Sequence, residues 1–131
     1  MVKNRRGSQA VEFALIMPVM MALMSGIVDF GWYFRQQAVV NTIVRDAARR
    51  GSVTTVVLSR GVAESAACSQ LQLAGLSSGG ATCAEVSSAV SGAAPNASLR
   101  LTATVPFPRL FGLVPMPTNV SSSLVLRIEG D

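Results

Sequence analysis

Apolar residues crowd the first third of the chain and give way to strict alternation near its end. Phe13 to Val28 contains no charged residue; Asp29 interrupts, and Phe30-Gly31-Trp32-Tyr33-Phe34 resumes the apolar character. Phe13 to Phe34 is 22 residues, about 33 Å as an α-helix, close to a bilayer hydrocarbon core of roughly 30 Å. The run predicts a transmembrane helix over about 13–34, with Trp32 and Tyr33 in the aromatic belt at one interface. Two other elements share this signal. One is a buried core helix, but nothing else in so short a chain offers cover for an apolar cylinder this wide. The other is a cleaved secretory signal, for which the apolar run extends too far past the small residues Ala22, Ser25 and Gly26.

Beyond Arg35 the helical period continues. Val39, Ile43 and Ala47 recur at four-residue spacing, as do Val40, Val44 and Ala48, making one apolar stripe. Asp46 and Arg50 lie on the polar side as a helix-surface ion pair. Gly51 reads as a C-cap. Val53 to Leu58 fits either a strand or a helix extension. Arg60 to Ala74 reads as a helix, 75–80 as a Gly-rich loop, Glu85 to Val90 as a short helix and Pro95-Asn96 as a turn. Leu99, Leu101, Ala103 and Val105 then alternate with polar residues, and Val120, Ser122, Leu124, Leu126 and Ile128 repeat the pattern. Both segments carry the period of two that marks half-buried strands. The four prolines at 106, 108, 115 and 117 make the stretch between them a long loop. Its Phe107, Leu110, Phe111 and Leu113 serve either as a cap on the core or as a partner-binding patch.

Composition narrows the function. The 131 residues carry a net charge of +4 and no histidine. Histidine-dependent hydrolytic triads and His-ligated zinc are excluded, two cysteines cannot form a four-cysteine zinc site, and no residues stand out as catalytic, metal-binding or cofactor-binding. Three of the four net charges come from Lys3, Arg5 and Arg6. The remainder is nearly neutral, without a basic stripe for nucleic acid. Basic residues before an apolar run place the N-terminus in the cytoplasm. Cys68 and Cys83 then fall outside it, where a disulfide is the expected state, with two free thiols the alternative. Two carboxylates flank or interrupt the span. Glu12 and Asp29 are costly near hydrocarbon and each needs a partner; for Asp29 that is an interfacial solvent shell or a basic residue of another subunit. Ala22 and Gly26 form a small-xxx-small pair, and Pro18 is expected to kink or loosen the helix.

The head Arg6-Gly7-Ser8-Gln9-Ala10-Val11-Glu12-Phe13 and its apolar continuation resemble a prepilin with a type III signal. With Gly26-Ile27-Val28-Asp29-Phe30-Gly31 and Asn41 to Arg49, the stretch resembles the TadE-like family of tight-adherence (Flp) pilus systems. The resemblance covers residues 5–51. It implies an α+β fold of pilin-like lollipop shape: a long N-terminal helix, partly transmembrane, and a small C-terminal α/β head with an antiparallel sheet. It divides the chain into a leader 1–7 cut between Gly7 and Ser8, a helix 8–50 and a periplasmic head 51–131. Glu12, five residues after the cut, would pair with the new Ser8 amine of a neighbouring subunit and set the axial register, beside Phe13.

The implied function is that of a minor pilin or pseudopilin, not an enzyme, acting in assembly, adhesion or secretion without a cofactor. Its implied partners are prepilin peptidase, other pilin subunits, the inner-membrane assembly platform and membrane lipid. The implied location is the bacterial inner membrane, single-pass, with incorporation into an extracellular pilus. Ser8 in place of Phe after the cut separates the chain from ordinary type IV pilins and type II secretion pseudopilins. Phe13 in place of Tyr separates it from the major Flp pilin. The alternatives are an uncleaved membrane-anchored binding module and a type II secretion-like pseudopilin.

Overall fold

A single helix, α1 (Arg5–Ser52), dominates the architecture. The structure is a computed structural model that describes residues 5–77 and 83–129. The 48 residues of α1 extend about 72 Å, far longer than any other element. The helix runs without a break through Pro18. Its first turns, up to about Met20, stand clear of the rest of the chain, and its C-terminal half forms one wall of the head.

The head adds α2 (Val56–Leu73) and three strands, β1 (Val86–Ser91), β2 (Ser98–Pro106) and β3 (Asn119–Arg127). The strands pair antiparallel in the order β1-β2-β3. Leu101 faces Leu124 and Val105 faces Val120 across the β2–β3 ladder, and Ser88 faces Leu101 across β1–β2. Strand alternation sends Leu99, Leu101, Ala103 and Val105 to one face, where all are buried. That face meets Val40, Ile43, Val44, Ala47 and Ala48 of α1 and Ala63, Ala67 and Leu71 of α2. The four-residue stripe read from the sequence is therefore the seam between helix and head. The result is an α+β lollipop: an apolar stalk and a small two-layer head.

Three local features differ from the sequence reading. Residues 86–91 form β1, not a helix. Val86, Ser88 and Val90 turn towards the helices while Ser87, Ala89 and Ser91 face outward, and pairing with β2 overrides the weak helical bias of Ser and Ala. Val53 to Leu58 resolves into a turn followed by the first residues of α2. Gly51 is not a C-cap, because α1 continues through it to Ser52. A Cβ there would meet Leu99 Cδ2 at 2.7 Å and the Ser59 carbonyl oxygen at 2.8 Å. The glycine permits α1, α2 and β2 to converge.

Polar ties close the head. The Glu129 amide donates to the Ser52 carbonyl (2.8 Å), fastening the end of the sheet to the end of α1. Arg127 donates to the Pro95 carbonyl and to Asn96 Oδ1, and Ser88 Oγ donates to Glu64, joining β1 to α2. Cys68 of α2 is bonded to Cys83 just before β1, with their Cα atoms 5.8 Å apart. Residues 78–82, which include the last part of the Gly-rich loop expected at 75–80, lie outside the described residues.

Candidate functional site

The exposed half of α1 is the first candidate site. Every residue from 9 to 24 is solvent-accessible, including Phe13 (66%), Leu15 (72%) and Met24 (66%). A helix that is apolar on all sides needs lipid or other helices around it. Among the described residues α1 is long and apolar enough to cross a membrane. Glu12 and Phe13 sit on this exposed stalk. Gly7 and Ser8 lie in its first turns, while residues 1–4 of the expected leader fall outside the described residues. Asp29 lies 17 residues beyond Glu12, about 25 Å along the helix, so the two carboxylates serve separate places. Cys68 and Cys83 belong to the head and to neither.

Asp29 is the second candidate. It is fully buried, and its partner is neither solvent nor a basic side chain. Three consecutive backbone amides converge on it from 81 to 83 residues away in sequence: Leu110 and Phe111 donate to Oδ1 and Gly112 to Oδ2, each at 3.2 Å. Successive N–H groups turned to one side form a concavity for an anion. Gly112 makes the turn with φ +66°, a left-handed conformation that glycine adopts without penalty.

The segment supplying these amides is the proline-rich loop between β2 and β3. Its base is closed by the Phe107 amide donating to the Thr118 carbonyl (2.7 Å). Phe107 and Met116 enter the core, and Phe107 stacks edge-on against Tyr33 with centroids 5.3 Å apart. Tyr33 and Trp32 are half-buried against the head, and the Arg35 guanidinium lies over the Trp32 ring at 5.0 Å. The tip then leaves the head and runs along the stalk towards its N-terminus. Val114 meets Gly26, where a Cβ would lie 3.3 Å from Val114 Cγ2. Gly26 of the small-xxx-small pair thus receives the chain's own loop.

Of the four apolar residues read as one group, only Phe107 caps the core; Leu110, Phe111 and Leu113 remain 55%, 61% and 66% exposed. Sequence reasoning missed this division, because an apolar loop carries no mark of which neighbour it meets. The available signal was Asp29 itself, a carboxylate in an apolar helix that needed donors.

A third polar cluster supports the head. Asp46 accepts a hydrogen bond from Gln70 of α2 and an ion pair from Arg50 at 2.9 Å. The Gln70 bond chiefly holds its carboxyl below the usual value of 3.8; desolvation, next in size, opposes it, and the charge and hydrogen bond of Arg50 add to the lowering. Arg50 and Asp46 both belong to α1 and are substantially exposed, so their pair adds little through charge; the Gln70 bond is what ties α2 to α1. Among the described residues no group of three or more His, Cys, Asp or Glu is arranged to hold a metal. The arrangement as a whole anchors, packs and presents a surface.

No curated protein and no solved structure matches the chain. One family model does, over residues 7–49, which are most of α1: the exposed stalk, Glu12, Asp29 and the seam on the head. The model is described as TadE-like protein, and over that segment the chain is similar to that family.

Proposed function

We propose that the protein is a minor pilin or pseudopilin of a tight-adherence pilus system. The observation that carries this reading is the coincidence of the TadE-like match with the projecting apolar helix. Together they support a pilin-like, pilus-associated protein held in a membrane by α1. The finer steps belong to the proposal. The precursor inserts with Lys3, Arg5 and Arg6 on the cytoplasmic side. Prepilin peptidase cuts between Gly7 and Ser8, and the mature helix joins parallel helices of other subunits on the inner-membrane assembly platform. Glu12 pairs with the Ser8 amine of a neighbour, which offsets the cost of holding both charges in an apolar bundle. The head remains on the periplasmic side and is carried outward if the subunit enters the filament.

The experiment is complementation in a strain lacking this chain but carrying the pilus machinery. The parent sequence is expected to restore surface pili. Glu12→Ala is expected to leave insertion intact and reduce pilus output. Pilus output that does not depend on the chain would refute the assembly role, and full output with Glu12→Ala would refute the pairing.

A further inference from the structure

The loop tip lies where irregular backbone is hard to keep. In a hydrocarbon layer, non-helical chain persists only if its N–H and C=O groups find partners within the protein. The 107–118 loop meets part of that condition, through its amides. Pro108, Pro115 and Pro117 carry no N–H. Leu110, Phe111 and Gly112 give theirs to Asp29, itself removed from solvent.

The tip is also apolar outward. Leu110, Phe111 and Leu113 are more than half exposed, although soluble heads normally cover such a group. The position of the tip identifies what covers it. Phe111 and Leu113 share a shallow apolar groove with Met21, Met24 and Val28, and Val114 lies beside Leu23 and Ile27. These helix residues fall within the uncharged run that spans the membrane in the reading above. From Asp29 the tip extends one to two turns down the helix, about 5–10 Å.

We infer that residues 110–114 form a re-entrant tip inserted into the outer face of the bilayer alongside α1, with Phe111 and Leu113 among the lipid acyl chains and the amides of Leu110, Phe111 and Gly112 held by Asp29. This rests on α1 spanning the membrane. The occupant is lipid because the exposed tip is continuous with the lipid-facing side of the same helix. The head is thereby seated on the membrane, with its orientation about α1 fixed by the clamp. Leaving the membrane then requires the tip to exchange lipid for another apolar surface.

The test uses the purified full chain in vesicles of phosphatidylethanolamine and phosphatidylglycerol doped with lipid brominated in mid-chain. Trp32→Phe removes the native indole, and Phe111→Trp supplies a single reporter. Leu23→Trp marks the membrane span and Val125→Trp, on the outer face of β3, marks water. The Phe111→Trp indole is expected to emit to the blue of Val125→Trp and to be quenched by bromine nearly as strongly as Leu23→Trp. An indole at 111 quenched by aqueous iodide and not by bromine, with Leu23→Trp still quenched by bromine, overturns the inference. If Leu23→Trp also escapes bromine, α1 does not span the bilayer and the underlying reading fails first.

A second arm leaves Trp32 untouched. Leu113→Cys, with the native disulfide oxidised, carries a nitroxide expected to be more accessible to oxygen than to a water-soluble nickel chelate. The reverse order overturns the inference.

Discussion

Replacing Asp29 by Ala removes the acceptor of three loop amides while leaving the helix backbone intact. Hydrogen bonds to a charged acceptor contribute about 1.5–3 kcal/mol each, and N···O distances of 3.2 Å place these at the weak end of that range. Three of them amount to about 4.5 kcal/mol gross. Holding a carboxylate near an apolar boundary costs on the order of 2–3 kcal/mol. The clamp therefore holds the loop by about 2 kcal/mol net, roughly a 30-fold bias towards the docked state. Hydrogen exchange of the full chain in micelles reads this directly. The peptide covering 107–118 in Asp29→Ala is expected to exchange roughly 30-fold faster, with β2 and α2 unchanged. Asp29→Asn retains one carbonyl oxygen and is expected to fall between the two. Unchanged loop protection in Asp29→Ala would refute the assignment of Asp29 as the clamp. Faster exchange throughout the head would show instead that Asp29 supports the whole core.

Three further outcomes follow from the head. Gly51→Val forces side-chain atoms into the junction of α1, α2 and β2; the overpacking costs about 2–3 kcal/mol, and the midpoint of thermal unfolding by near-ultraviolet circular dichroism is expected to drop on the order of 10 °C. Replacing both Cys68 and Cys83 by Ala opens a closure of 15 residues, lowering head stability in urea by about 3 kcal/mol. Folding lowers the Asp46 carboxyl below 3.8, so its contribution is present above that pH and fades as the pH falls through the folded-state value. Thermal midpoints measured between about pH 5 and 2 are expected to fall less steeply for Asp46→Asn than for the parent.

What could be read from the sequence depended on whether the governing contact was local. The stalk was legible because an apolar stretch long enough to cross a bilayer is a one-dimensional signal. The seam residues Val40, Val44 and Ala47, and the strands β2 and β3, were legible through their periods. β1 was not, because Ser and Ala at four of its six positions give little contrast, and its state is decided by β2 alongside it. Gly51 was misread because a glycine at a helix end serves equally for a cap and for a close approach. The docking of 110–112 on Asp29 joins backbone donors to a side chain more than 80 residues away, and backbone donors have no sequence signature. The disulfide lay between these cases, expected from compartment and spacing before any geometry.

The central claim is that the chain is made as a pilin-like precursor and matured for assembly through α1. Its most direct test is the intact mass of the protein extracted from membranes of cells that carry the tight-adherence machinery, including its prepilin peptidase. The account predicts a chain beginning at Ser8, shortened by the seven residues through Gly7. A chain retaining Lys3, Arg5 and Arg6 in those cells would contradict it, and would leave the TadE-like helix as a permanent anchor for the head.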